Sequence, residues 1–188
     1  MYKKCVLYDT VGVPPEELGE ELEVAVLRGL RAKLEGRMDR RLGLVVAILG
    51  ISEVGEGHIL FGDAAVYYDV TFTALVFQPT LQEVTDGIAV EVVDFGVFVS
   101  IGPMDGLLHI SQITSEFMTY DSKNARLTSK ESSKSVGEGD HLRVRVVAVS
   151  INERDPRESK IGLTMRQVGL GRKEWLEEER KRQKVDGE

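Results

Sequence analysis

The sequence predicts an α+β protein in two parts. One long stripe at helical spacing lies between Glu16 and Glu35. Elsewhere, runs of alternating apolar residues are separated by glycine and proline, which is the pattern of short strands. A break near Pro79 to Asp86 divides the two parts. Residues 1–80 read strand, helix, strand, strand, strand. Residues 81–188 read five strands and a short charged helix.

In the first part, Tyr2 to Val11 is a strand. Pro14-Pro15 ends it and opens a helix, since proline is tolerated in the first helical turn. The predicted helix runs from Glu16 to Glu35, with Leu18, Leu22, Val26, Leu30 and Leu34 as its apolar stripe. Glu16, Glu17, Glu20 and Glu21 come early and Arg28, Arg31 and Lys33 late, a polarity that complements the helix dipole. The acidic run is therefore a solvated helix face. Gly36 suits the position just past the helix end. Leu42 to Ile51 is a central strand. Gly55-Glu56-Gly57 is a turn, Ile59 to Phe61 a short strand, and Gly62-Asp63 another turn. Tyr68 to Gln78 is the clearest strand, with Val70, Phe72, Ala74 and Val76 on one face and Thr71, Thr73, Leu75 and Phe77 on the other. One helix covers only one face of such a sheet. The other is expected to be buried by the second domain or a partner chain.

The second part starts with Gln82 to Val93, in which Ile88, Val90 and Val92 alternate. Phe95 to Ser100 follows. Gly102-Pro103 and Asp105-Gly106 are turn dipeptides, and Leu107 to Ile110 resumes the strand. Residues 114–139 are rich in Ser, Lys and Gly, with Lys123, Arg126, Lys130 and Lys134 against Asp121 and Glu131. They read either as a mobile solvent loop or as a phosphate-contacting one. Leu142 to Ile151 places Leu142, Val144, Val146 and Ala148 on one face and Arg143 and Arg145 on the other. Asn152 to Ser159 is a charged turn, and Lys160 to Met165 is the closing strand. Five strands at this spacing fit an OB-fold barrel. Arg172 to Gln183 is a charged helix that Trp175 and Leu176 dock onto the body.

Composition excludes several classes. The formal net charge is -7, which argues against broad electrostatic binding to duplex DNA or an anionic membrane. A single cysteine, Cys5, makes no internal disulfide and fits a reducing, cytoplasmic setting. No apolar run approaches the ~20 residues of a membrane span, and the apolar stretch behind Lys3-Lys4 is too short for a signal peptide. Catalytic signatures are missing. His58, His109 and His141 lack metal-ligand spacing. Gly169-Leu170-Gly171-Arg172-Lys173 lacks the spacing and hydroxyl of a phosphate loop. No nucleophile elbow surrounds Ser111. For a metal-dependent nuclease the best carboxylates are Asp63 and Asp69. No catalytic residue, metal or cofactor is expected.

The informative stretch is Asp94 to Ser111. Phe95 and Phe98 are three apart, so strict alternation sends them to opposite faces. A bulge at Gly96 would bring both rings to one face. His109 points away from whatever Leu108 and Ile110 pack on. Two rings and an imidazole on the outside of a small sheet make a platform for stacking bases. From composition alone, the same phenylalanines read as a core pair.

The order Gly87, Asp94-Phe95-Gly96-x-Phe98-Val99, Asp105-Gly106-Leu107-x-His109-Ile110-Ser111, Gly139-Asp140 and Val144-x-Val146 resembles the S-one type RNA-binding OB-fold domain. That resemblance implies RNA-facing roles for Phe95, Phe98, His109 and Lys160; Arg143, Arg145 and Lys123, read from the strand face and the basic loop, are further candidate RNA contacts. Ser150 stands where the pattern usually has an acidic residue. Ahead of this domain come Val13-Pro14-Pro15-Glu16-Glu17, Glu35-Gly36-Arg37, Gly55-Glu56-Gly57, Gly62-Asp63 and Tyr67. Behind it come Lys160 to Gln167 and Leu170-Gly171. The whole layout resembles the E-prime family of archaeal DNA-directed RNA polymerase subunits, counterpart of the seventh-largest subunit of eukaryotic RNA polymerase II.

The resemblance implies a truncated RNP-like N-terminal domain, a five-stranded OB-fold β-barrel and a short C-terminal helix. It implies a non-catalytic stalk protein that pairs with the small helical F-type subunit of the RNA polymerase and docks on the polymerase core subunits near the clamp. It further implies binding of nascent single-stranded RNA and support for open-complex formation and processivity. Core docking falls on Gly36, Gly55, Gly57, Gly62 and Asp63. The alternative is an RNA-binding subunit of an exosome-like or translation complex, which would differ in what precedes the barrel.

Overall fold

The computed structural model describes residues 1–185. The chain divides into two compact units. One is Met1–Gln78 with Asn152–Pro156; the other is Pro79–Ile151 with the chain from Arg157 on.

The first unit contains β1 (Tyr2–Val13), a 3-10 turn at Pro15–Glu17, α1 (Leu22–Leu34), β2 (Met38–Asp39), β3 (Gly43–Ile59) and β4 (Val66–Phe77). The antiparallel sheet has the order β1-β4-β3-β2. Val70, Phe72, Ala74 and Val76 of β4 pack with Ala25, Val26 and Leu30 of α1, and Val11, Val13, Val45 and Ile48 complete this core. Burial of these side chains drives the unit together, at about 1.5–3 kcal/mol for each large aliphatic or aromatic one.

The helix is shorter than the periodicity predicts. It begins at Leu22, because Pro15–Glu17 forms a 3-10 turn and Glu21 is extended, with ψ 124. Gly19 lies between them, and glycine costs ~1 kcal/mol relative to alanine inside a helix. Leu18 and Leu22 are consequently exposed. Gly36 has φ +79 and donates its N–H to the Val45 carbonyl at 2.9 Å, which ends the helix.

The predicted turn at Gly55-Glu56-Gly57 does not exist. β3 runs unbroken through it, with register shifts after Val45, Ile48, Ile51 and Val54. Each bulge inserts a residue. Val45, Ile48, Ile51 and Val54 therefore pair with Val76, Ala74, Phe72 and Val70, a spacing of three residues instead of two. On the opposite face of the sheet Val6 is 69% and Tyr8 68% exposed, beside Thr73 and Thr71.

The second unit contains β5 (Val84–Val93), β6 (Gly96–Ser100), β7 (Asp105–His109) and a 3-10 turn at Ile110–Gln112. Then come β8 (Met118–Asp121), β9 (Arg126–Ser129), β10 (Ser135–Gly137), β11 (His141–Ser150), β12 (Lys160–Thr164), β13 (Gly171–Arg172) and α2 (Lys173–Val185). Strand pairing runs β12-β7-β6-β5-β11, and β11 also pairs with β12, so five strands close a barrel. The β7–β12 pair is parallel and the other four are antiparallel. Val97, Val99, Leu108, Leu142, Val144, Val146 and Leu163 fill the interior. Among the described residues no helix is long and apolar enough to cross a membrane.

Three local expectations are corrected here. Ile88 and Val90 face solvent, because a register shift between Ala89 and Glu91 makes Ala89 and Val92 the inward pair. Asp105-Gly106 is strand: a Cβ on Gly106 would sit 2.6 Å from Leu163 Cδ1, so glycine serves close packing there. Residues 114–139 carry a three-stranded sheet, β10-β9-β8, with Met118, Leu127 and Val136 buried, one per strand. Trp175 and Leu176 on α2 are half-buried, and Lys134 Nζ lies 5.6 Å from the Trp175 ring centroid.

Candidate nucleic-acid interface

β5 and β6 are joined by a two-residue turn at Asp94-Phe95, with Val93 opposite Gly96. Phe95 therefore lies in the turn, and no bulge at Gly96 is needed to bring the rings together. Gly96 instead allows close approach, since a Cβ there would run into the Leu108 carbonyl oxygen. Phe95 is 46% exposed, and its ring meets Phe98 edge to face, with centroids 6.3 Å apart and planes at 85°.

Phe98 opens an outward row. It pairs with Glu91 on one side and Leu107 on the other, and Leu107 continues to Gly162 and Ala148. Gly162 adds no side chain to this row, and a Cβ there would meet Ala148 Cβ at 3.1 Å. His109 is two residues along β7 from Leu107, opposite Gly96. Its Nδ1 lies 2.8 Å from Ser111 Oγ and accepts the Ser111 backbone N–H at 3.2 Å. The Ile110 N–H donates to the Phe95 carbonyl at 2.9 Å, which ties the His109 end of β7 to the Phe95 turn.

The basic candidates are spread out. Lys160 begins β12 and pairs with Ser150. The parallel register with β7 puts Lys160 level with Asp105, at the far end of the ladder from His109. Arg143 Nε donates to Asp86 Oδ1 at 2.8 Å, and Lys173 Nζ stands 3.2 Å from the other oxygen. Arg143 holds the Asp86 carboxyl below its usual range, with a smaller contribution from Lys173. Arg145 Nε is buried with no hydrogen-bond partner. Lys123 is exposed in the β8–β9 turn, where its N–H donates to Asp121 Oδ1 at 3.0 Å. The structure thus gathers Phe95, Phe98 and His109 and leaves Lys160, Arg143, Arg145 and Lys123 around the barrel. Leu107 and Ser111 complete the cluster; Leu107 shares the strand parity of His109, the one sequence signal for it.

The expected docking residues fall in three places. Gly36 ends α1. Gly55 and Gly57 are inside β3, where a Cβ on Gly57 would sit 2.7 Å from the Tyr68 ring. Gly62, at φ +87, and Asp63 shape the β3–β4 tip, whose Phe61 is fully exposed. Asp63 accepts hydrogen bonds from Tyr67 Oη at 2.5 Å and from the Ala65 N–H at 3.1 Å, which hold its carboxyl below the usual range. Among the described residues no three His, Cys, Asp or Glu side chains group as metal ligands do.

Residues 9–64 match the SHS2 domain found in the N terminus of Rpb7p/Rpc25p/MJ0397, and residues 78–160 match the S1 RNA binding domain. The DNA-directed RNA polymerase subunit Rpo7 of Saccharolobus shibatae is 40% identical over 183 residues, covering 96% of this chain and 100% of its own. The chain belongs to the Rpo7 family of RNA polymerase subunits. The Sulfolobus acidocaldarius Rpo7 is 36% identical, covering 95% of this chain and 97% of its own. The Dictyostelium discoideum RNA polymerase II subunit rpb7 is 23% identical over 154 residues, covering 81% of this chain and 89% of its own. The Rpo7 match spans both units.

Proposed function

We propose that this chain is a non-catalytic stalk subunit that holds emerging single-stranded RNA on the ring face of its barrel. The observation that carries the reading is the clustering of Phe95, Phe98 and His109 on the outside of a closed five-stranded barrel. Exposed rings stack on any base, which suits a protein that must accept every transcript. The net charge of -7 fits stacking better than a phosphate-tracking groove. The β3–β4 tip, with Phe61 exposed above Gly62 and Asp63, docks on the polymerase core near the clamp. The open Val6–Tyr8 face of the first unit pairs with the small helical F-type subunit. Held this way, the stalk supports open-complex formation and processivity. An exosome or translation reading leaves the first unit without a role.

Fluorescence anisotropy of the full chain with single-stranded and duplex RNA of one sequence tests the binding mode. Clear preference for the single strand supports it. Equal binding, or binding of the duplex alone, contradicts it.

A further inference from the structure

Beside the ring face lies an open cavity of about 580 Å³, within the ~300–1,000 Å³ of small-ligand sites. Its lining includes Ile110, Ser111, Thr114, Phe117, Glu131 and Arg166. Phe117 is 67% exposed, although it immediately precedes the buried Met118 of β8. The small sheet is held by Met118, Leu127 and Val136, so the Phe117 ring is not part of that core. Lys130 Nζ lies 5.9 Å from the Phe117 ring centroid.

The cavity is continuous with the ring face through Ser111, which both lines it and contacts His109 Nδ1. The lining carries the cation of Arg166, and the Lys130 cation, outside the lining, stands over its Phe117 ring. One carboxylate in the lining is already engaged. Glu116 Oε2 accepts from the hydroxyls of Ser129 and Ser132, both at 2.5 Å, and Lys134 Nζ stands 3.9 Å from Oε1. The two hydroxyls, with Lys134 behind them, hold the Glu116 carboxyl below its usual range. Glu131 is the remaining acidic group of the lining.

We propose that this cavity is a second subsite for single-stranded RNA, taking a nucleotide beyond those on the Phe98–His109 face. Its base stacks on Phe117 and its phosphate faces Lys130 and Arg166. An aromatic ring flanked by cations is the arrangement that binds unpaired nucleotides without reading their sequence. The proposal rests on the reading of the ring face as an RNA surface.

The experiment titrates the full chain with oligouridylates of ~4 and ~12 nucleotides, spanning common OB-fold site sizes. Phe117→Ala and Arg166→Glu should each weaken the longer RNA about tenfold and leave the shorter unchanged. Glu131→Gln should tighten the longer one. Phe98→Ala should weaken both, which reports on the ring face separately. Loss with Phe98→Ala but none with Phe117→Ala and Arg166→Glu overturns the second subsite alone. No loss with Phe98→Ala overturns the ring-face reading. Equal weakening of both lengths by Phe117→Ala overturns an additional nucleotide at the cavity. Phe117→Leu keeps the apolar bulk and removes the ring, so a fold defect in the alanine variant is distinguished from lost stacking.

Discussion

Ser111 fixes the His109 ring. The Ser111 backbone N–H can only donate, so Nδ1 of His109 accepts it and the neutral imidazole carries its proton on Nε2. The Oγ contact at 2.8 Å adds a second restraint on the same nitrogen. The ring is thereby held in one orientation beside the Phe95 turn. Ser111→Ala removes the hydroxyl contact and leaves the backbone one. Single-stranded RNA affinity should fall two- to fivefold, about 0.5–1 kcal/mol, the net worth of one hydrogen bond. The urea midpoint of unfolding should not move.

Gly96 gives a sharper test of the architecture. A Cβ there meets backbone atoms, the Leu108 oxygen and the His109 Cα, and backbone yields less readily than a flexible side chain. Gly96→Ala should cost ~1–3 kcal/mol of stability. Equilibrium urea unfolding of the second unit reads this directly, and RNA binding should weaken as the β6–β7 ladder shifts.

Salt dependence separates stacking from charge. Arg143 is paired with Asp86, and Lys160 stands at the far end of the β7–β12 ladder from His109. Few phosphates are therefore neutralised near the rings. The slope of log K against log salt should correspond to about one to three phosphates, at ~0.7 each for a single strand. Anisotropy titrations over a range of salt give the slope, and Arg143→Ala should change it little.

At the β3–β4 tip, Tyr67 donates to Asp63 and lowers its pKa. A carboxyl with a folded pKa below its unfolded value of about 3.9 contributes stability above that value. The contribution is lost as pH falls through the lower, folded pKa. Tyr67→Phe should raise the Asp63 titration midpoint toward the ordinary value, read by NMR of the side-chain carboxyl. The wild-type tip should loosen only as pH falls below about 4, and this acid dependence should shrink in Tyr67→Phe.

Legibility varies with strand regularity. Val70, Phe72, Ala74 and Val76 are readable because β4 alternates without interruption. β3 reads as two strands because its repeated bulges put buried residues three apart and hide the alternation. The same physics inverts Ile88 and Val90, where one shift between Ala89 and Glu91 changes the face. β8, β9 and β10 are invisible in the sequence, since strands of three or four residues with one buried apolar side chain each carry no period. The rings of the site are legible from residue type, yet Gly96 reads as a bulge when it serves close approach. Lys160 comes from resemblance and the arginines from strand alternation, and only the register shows how far Lys160 stands from His109.

Phe98 and His109 are the proposed surface on which RNA stacks. The direct measurement is equilibrium binding of a single-stranded oligoribonucleotide to the full chain and to its Phe98→Ala, His109→Ala double variant, with circular dichroism as a check on folding. The account predicts a loss of ~1–3 kcal/mol for each base that no longer stacks, with the fold intact. Unchanged affinity in a folded double variant would contradict it and place RNA elsewhere on the chain.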